Sequence, residues 1–316
     1  MESTARQAEA LKDEMVTRRR GLHRYFETCW KEFRTASMII RELQALGYTV
    51  YFGADAVDGA LMTGVSGKAE LEECIECAIK EGADKKLVER MQGGKTGVVG
   101  VLKGTKPGKT VAFRFDMDSN NVEEEKTEKH RPFMEGFVSA HANAMHVCGH
   151  DGHVTIGLAA AKLIAANRGK LAGTVKLISQ PAEEDVHGAR PMVEKGVVDD
   201  VDYFFGGHIG IKATGSDSLV CLTGGFLATT KITAAFKGVS SHAGMSPELG
   251  KNALLAAAQA AISMNTIARH GKGASRINVG TLNALTGLNV VPDIAVMELE
   301  IRGATTEIDG YMATES

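Results

Sequence analysis

Apolar positions recur at helical spacing through the opening stretch, where Leu22, Phe26, Phe33, Met38 and Leu43 follow a 3.6-residue period and Gly47 supplies a stop. One or two amphipathic helices are predicted there. Tyr48 to Lys68 is broken by glycines and keeps no period, and residues 69–91 return to a charged helical pattern, so the two together read as a surface insertion. From Thr96 the period shortens. TGVVGVLKG and, after the turn signal Lys106-Pro107-Gly108, TVAFRFDMD are β-branched runs bounded by breakers, which predicts neighbouring buried strands.

Gly152 to Asn167 is Ala- and Leu-rich and predicts a helix, Gly173 opens the strand TVKLISQ, and VDYFFGGHIG runs as a strand to about His208. Strands alternating with helices imply βαβ units, in which polar residues gather at the carboxyl ends of the strands and ligands bind there. The texture changes near Gly224. FLATTKITAAFKG, RINVGTLNAL and IAVMELEIRG alternate as half-exposed strands around an Ala-rich helix from Asn252 to Arg269, and the chain stops in what reads as the first turn of another helix. The fold class is therefore α/β with a mixed sheet flanked by helices in residues 1–220, followed by a smaller α+β, ferredoxin-like domain in residues 221–316.

Histidine is unevenly spread: of ten, His130, His141, His146, His150 and His153 fall within 24 consecutive positions. The segment from His146 to His153 combines thiol, imidazole and carboxylate on a loop entering a helix, a mixture suited to a divalent transition metal. Cys148 and His150 are two apart across a glycine, so both can turn to one side, with Asp151 or His153 behind them. Glu183 and Glu184 follow directly on the strand that ends at Pro181, where adjacent carboxylates can divide the work: one ligates a metal and the other moves a proton. Asp116-Met117-Asp118 and His208 end two further strands, so three separate strands end in ligand-type residues. His242, Asn289 and Arg302 have weaker individual cases, although an arginine can bind a carboxylate bidentately.

Two other motifs fail. Gly94-Lys95-Thr96 resembles a phosphate-binding loop, but Glu89 occupies the place of the first glycine and a strand follows where a helix is required. Cys74 and Cys77 have CxxC spacing without a second pair, inside a helical pattern, and read as ordinary helical cysteines.

Composition narrows the class. With 316 residues, 44% hydrophobic and 24% charged, the chain has the profile of a globular protein of about two domains, and a net charge of −3 leaves no basic excess for nucleic acid or an anionic membrane. No apolar run is long enough to span a bilayer, and the charged first twenty residues carry no secretory h-region. Five scattered cysteines argue against a disulfide framework and for a reducing cytoplasm.

The ordered set Asp116-Met117-Asp118, His146 through His153, Gln180 through Glu184, Gly206-Gly207-His208, Ser241-His242-Ala243-Gly244 and Asn289-Val290-Val291-Pro292 resembles the di-metal amidohydrolases of the aminoacylase peptidase family, the branch of hippurate and auxin-conjugate hydrolases. The resemblance runs from about Arg18 to the end. It implies a zinc-peptidase-like catalytic domain with two divalent ions, Mn2+ or Zn2+, held by Cys148, His150, Glu184 and His208 together with one more histidine. Glu183 matches the general base that deprotonates a metal-bridging water and returns the proton to the leaving amine, and Asp118 a residue that orients a ligand. His242 matches a residue of the inserted lid or dimerisation domain that reaches a partner subunit's site to stabilise the oxyanion, and Asn289 and Arg302 match substrate contacts.

The implied reaction cleaves N-acyl or N-aroyl amino acids, p-aminobenzoyl-glutamate foremost, in a homodimer or a heterodimer with a homologous subunit. Ser119-Asn120 departs from the family's Ala-Leu. The family's fifth metal ligand follows the lid, and Ser316 falls within the lid, so a truncated chain is expected. Two alternatives stand beside the enzyme: a non-catalytic subunit that only pairs with a partner, and a metal-free hydrolase with Cys148 or Ser241 as nucleophile.

Overall fold

The computed structural model describes residues 4–316 apart from Asp185, Ile211, Thr214 and Ser216. The chain divides into two compact units, residues 1–218 and 219–316. The first opens with helices α1 (Thr4–Glu9), α2 (Lys12–Arg24) and α3 (Phe33–Ala45), then strand β1 (Thr49–Phe52), helices α4 (Lys68–Lys80) and α5 (Lys85–Glu89), and strands β2 (Val98–Lys103) and β3 (Lys106–Asp116). A short helix α6 (Arg131–Met134) lies in the long connection to α7 (His150–Ala166), after which come β4 (Ala172–Gln180), α8 (Ala189–Val193) and β5 (Tyr203–Gly206).

Helix α3 shows why these segments form. Phe33, Ala36, Ile39, Ile40 and Leu43 share one face and are each at most 1% exposed, and each large side chain so buried contributes about 1.5–3 kcal/mol. At its start Glu27 accepts from the backbone N–H of Arg34 and Thr35, and past its end Gly47 takes φ +83°. Its apolar face packs with Val154, Leu158 and Leu177 in one core, while Trp30, Val57, Val99, Ala112, Ile178 and Met192 form a second cluster. The sequence pattern predicts a surface insertion over residues 48–91, and the structure corrects this: Ala56, Val57, Leu71, Ala78, Val88 and Met91 are buried, with α4 and α5 packed on α3. Leu71 and Ala78 are seven apart on one face of α4, a stripe masked in the sequence by the glutamates around it.

The five strands form one mixed sheet in the order β1-β2-β4-β3-β5. Strands β2 and β3 are therefore not neighbours, as their adjacency in sequence predicts, because β4 inserts between them. Only β3, β4 and β5 run parallel, so their carboxyl ends lie on one edge, with Asp116 paired with Gln180 and Arg114 with Gly206. Crossing from β3 through α7 to β4, and then back to β5 on the far side of β3, makes the carboxyl end of β3 a topological switch point, where open α/β sheets bind ligands.

The second unit contains β6 (Ala228–Lys237), β7 (Ser241–His242), α9 (Ala253–Asn265), β8 (Ser275–Asn283), β9 (Val290–Val291), β10 (Ile294–Gly303) and α10 (Thr306–Glu315). Its main sheet has the antiparallel order β6-β10-β8, with Met297, Leu299, Ile301 and Met312 in the core. Strand, helix, two strands and helix in this order match the first five elements of a ferredoxin-like β-α-β-β-α-β unit. Helix α9 ends at Asn265, short of the expected Arg269, and α10 is a helix of ten residues where the sequence pattern predicts a first turn.

Candidate active site

Three strand ends and one helix start bring the sequence-predicted donors of the first unit together. Between Cys148 and His150, Gly149 adopts φ +90°, a left-handed conformation a side chain disfavours, and the sharp turn sends both side chains to one side. After β4 the chain closes a tight loop in which the amides of His187 and Gly188 both donate to Ala182 O. A Cβ on Gly188 would come within 1.7 Å of Pro181 O, so only glycine closes this loop, which carries Glu183 and Glu184. His208 follows β5.

The donor atoms converge. Cys148 Sγ lies 3.3 Å from His208 Nε2, and His150 Nε2 lies 3.5 Å from Glu184 Oε1 and 3.7 Å from Glu183 Oε2. Two groups, Cys148 with His150 and His208, and His150 with Glu183 and Glu184, each place one ligand atom per residue within 4.8 Å of the others. Hydrogen bonds at the back of each ring fix the tautomers: His150 Nδ1 donates to Asp118 O at 2.9 Å and His208 Nδ1 to Ile209 O at 2.7 Å. Both Nε2 lone pairs are thereby turned into the cluster, the arrangement of a metal-ligating imidazole.

Whether these residues fit a cation is decided by what they lack. His150 Nε2, Glu184 Oε1 and Asp118 Oδ1 are buried without a hydrogen-bond partner, at a cost of about 1–3 kcal/mol each if nothing fills the gap. A divalent ion between His150 Nε2 and Glu184 Oε1, 3.5 Å apart, satisfies those two, whereas Asp118 Oδ1 lies behind the ring, 3.4 Å from His150 Nδ1. The electrostatics agree: burial disfavours a charged His150, yet Asp118, Cys148 and Asp116 outweigh it and push the imidazole up to about 11, so the cluster favours positive charge at its centre. Replacing Cys148 by Ser is expected to weaken zinc or manganese binding by more than the roughly 10- to 100-fold typical of losing an outer partner. Equilibrium dialysis measures it, and parental affinity in the variant would remove Cys148 from the donor set.

Glu183 and Glu184 stand differently. The backbone N–H of Glu184 donates to Asp118 Oδ2 at 3.0 Å, so Asp118 supports both the His150 ring and the Glu184 backbone. Glu183 is more exposed and faces Arg114 Nη2 at 3.9 Å. Partial burial, reinforced by Asp116 and Asp118 and opposed by Arg114 and His150, holds its carboxyl above the usual value, a state suited to taking up and giving back a proton.

Several supporting residues go beyond the donors that the motifs single out. His153 Nε2 accepts the amide of Ile209 at 2.8 Å while Nδ1 bonds Asp116, so both nitrogens are committed and His153 braces the His208 segment. Asp116 also accepts from Arg114, and although burial works against its charge these partners bring it down to about 2. Asp151 turns away to His23 and Arg19, and His23 continues to Glu124, which accepts the amide of Ser139. The motif signals His153 and Asp151, whereas nothing nearby in sequence signals Arg114 or His23.

The second unit holds the other predicted residues. His242, expected in a loop, lies in the two-residue strand β7, paired with Val290. Its Nδ1 accepts from the amides of Gly244 (3.2 Å) and Met245 (3.1 Å), which leaves the proton on Nε2, with the side-chain amide of Asn289 3.5 Å away. Arg302 is held bidentately by Glu300, at 2.9 Å for both bonds. Ser241 Oγ is buried without a partner, so no base activates it.

A switch-point cluster of thiol, imidazoles and carboxylates on an α/β sheet has the make-up of a divalent-metal site. The model of peptidase family M20/M25/M40 matches residues 112–306. The chain is 48% identical over 299 residues to the indole-3-acetyl-aspartic acid hydrolase of Enterobacter agglomerans, covering 95% of this chain and 68% of that protein. It is 44% identical over 312 residues to the A subunit of the p-aminobenzoyl-glutamate hydrolase of Escherichia coli K12, covering 99% and 71%. The crystal structure of an aminobenzoyl-glutamate utilization protein from Klebsiella pneumoniae superposes with a TM-score of 0.79 at 38% identity, over 99% of this chain and 72% of that one. The chain belongs to peptidase family M20/M25/M40, and it is a hydrolase of the metallopeptidase and amidohydrolase kind.

Proposed function

We propose that this protein hydrolyses the amide bond of N-acyl or N-aroyl amino acids whose amino acid is acidic, p-aminobenzoyl-glutamate foremost, with two divalent ions, Mn2+ or Zn2+, at Cys148, His150, Glu184 and His208. The observation that carries this reading is the pair of buried, unpartnered atoms His150 Nε2 and Glu184 Oε1, 3.5 Å apart, with Glu183 beside them. Support for the acidic amino acid comes from the two relatives above, whose names give an aspartate and a glutamate conjugate.

When bound, divalent ions lower the pKa of a coordinated water from about 16 to about 7 and polarise the scissile carbonyl. The chain's own residues do the rest. Glu183 takes a proton from the attacking water on a carboxylate oxygen, the water oxygen joins the carbonyl carbon, and Glu183 returns the proton to the nitrogen as the C–N bond breaks. Asp118 keeps His150 in the tautomer that presents Nε2. His242, with a proton on Nε2, is the group that would meet the oxyanion developing in a partner subunit's site, and Asn289 and Arg302 are assigned to the substrate carboxylates. Glu300 already occupies the guanidinium of Arg302, so a substrate must share or displace it.

We place the second unit at an interface between protomers, where the partner is a second copy or a homologous protein. Among the described residues no helix is long and apolar enough to cross a membrane.

Chelation tests the reading. Activity on p-aminobenzoyl-glutamate is expected to vanish with EDTA and to return with Mn2+ or Zn2+, and hydrolysis indifferent to chelation would establish the metal-free alternative. Replacing the glutamate of the substrate by a neutral amino acid is expected to lower kcat/KM by at least about tenfold, because the groups that meet the second carboxylate are left unpaired. Equal rates would remove the acidic preference.

A further inference from the structure

His141, one of the five clustered histidines, lies outside the catalytic group. His141 Nε2 lies 2.5 Å from Glu81 Oε1 and 3.9 Å from Cys77 Sγ, and one ligand atom from each of the three falls within 4.8 Å of the others. We propose that Cys77, Glu81 and His141 form a second metal site, which takes a single zinc-like divalent ion.

The geometry follows from the helix. Cys77 near the end of α4 and Glu81 at its C-cap are four apart, the spacing that stacks two side chains on one face. His141 comes from the connection between β3 and α7, and the edge of Phe26, 6.0 Å away at 84°, holds its ring. Ligand atoms around a tetrahedral zinc lie about 3.3–3.6 Å apart. The observed separations of 2.5 and 3.9 Å bracket that range, so small side-chain rotations reach it. Thiolate, imidazole and carboxylate are a zinc-type donor set, and the three leave a fourth position for solvent.

The Glu81 side chain is 16% exposed and that of His141 42%, so an ion has access. Burial, then Glu81, push the Cys77 thiol up, so it stays protonated until a cation displaces the proton. Cys74, the other half of the CxxC spacing, belongs to no such group among the described residues. The site shares no ligand with the catalytic cluster. An ion there would tie α4 to the segment that leads into Cys148 and His150.

Alkylation of the full chain by iodoacetamide, with and without zinc chloride and read by fragment mass spectrometry at each cysteine, tests the proposal. Zinc is expected to slow modification of Cys77 by at least about tenfold, since the reagent needs a free thiolate. His141→Ala, Glu81→Ala and the milder Glu81→Gln are expected to abolish this protection, whereas Cys74→Ser and Cys148→Ser leave it intact. A Cys77 rate unchanged by zinc, protection that survives loss of His141, or protection that disappears with Cys148 overturns the assignment.

Discussion

Glu183→Ala is expected to bind divalent metal with the parent's stoichiometry and to hydrolyse p-aminobenzoyl-glutamate between about a hundred and ten thousand times more slowly, the range associated with loss of a general acid–base. The argument rests on the asymmetry between two adjacent carboxylates. Glu184 is fixed through its backbone to Asp118, and its Oε1 is buried and unpartnered, so it gains most from a cation. Glu183 is more exposed and faces Arg114, with a carboxyl shifted upward by burial and by the neighbouring aspartates. A group in that state can hold a proton transiently without being locked to the ions. Glu184→Ala should therefore lose metal and activity together, and Glu183→Ala activity alone. Metal content by atomic emission, set beside kcat for the two variants, decides the matter. Equal metal loss in both would show that Glu183 is a ligand and that the proton carrier lies elsewhere.

That division is legible in the sequence only as far as strand ends are. The runs TVAFRFDMD and TVKLISQ carry only Arg114 and Lys176 as charges within them and stop at acids and a proline, so the acids at their carboxyl ends mark the binding edge. Glu183, Glu184 and His208 can be found this way, Cys148 and His150 by the mixture of donors on the loop entering α7, and the coordinates bring them together. Sheet order is less accessible. Nothing in the pattern of β2 and β3 says that β4 separates them, because pairing is settled by long-range packing and not by the hairpin-like turn at Lys106. The packing of residues 48–91 is hidden for a different reason: the glutamates and lysines on α4 outweigh the two residues, Leu71 and Ala78, that the core needs. Asp118 shows a middle case, since its place at a strand end is visible but its bonds to His150 and to the amide of Glu184 require the fold.

Glu32→Ala is expected to cost several kcal/mol of stability and to reduce turnover with it, although no motif or period in the sequence singles Glu32 out. The side chain is fully buried. Its Oε1 accepts the amides of Trp30 (3.1 Å) and Ala182 (2.9 Å), and Oε2 accepts the hydroxyl of Thr96. Trp30 at φ +60° and Ala182 at φ +50° are two of the four described non-glycine residues in left-handed conformations, so one carboxylate oxygen holds two strained turns. Truncation leaves two buried amides without acceptors at about 1–3 kcal/mol each, against a typical total stability of about 5–15 kcal/mol. It also frees Ala182, the residue before Glu183 and Glu184, so the carboxylates lose their placement.

Glu32→Gln separates the acceptor from the charge. Burial and the charge of Asp118 raise the Glu32 pKa above its ordinary 4.5, so between that value and the raised one the folded state keeps a proton that the unfolded state releases. Ionisation of Glu32 should thus subtract from the parent's stability as the pH rises above 4.5, a loss that Glu32→Gln, which cannot ionise there, does not share. Urea unfolding at pH 5 and pH 8 measures this difference. The variant's advantage over the parent is expected to widen at the higher pH, while Glu32→Ala stays well below both. A constant offset between Glu32→Gln and the parent would mean that Glu32 is ionised in the fold throughout, and that its carboxylate charge, together with its shape, holds the Ala182 turn.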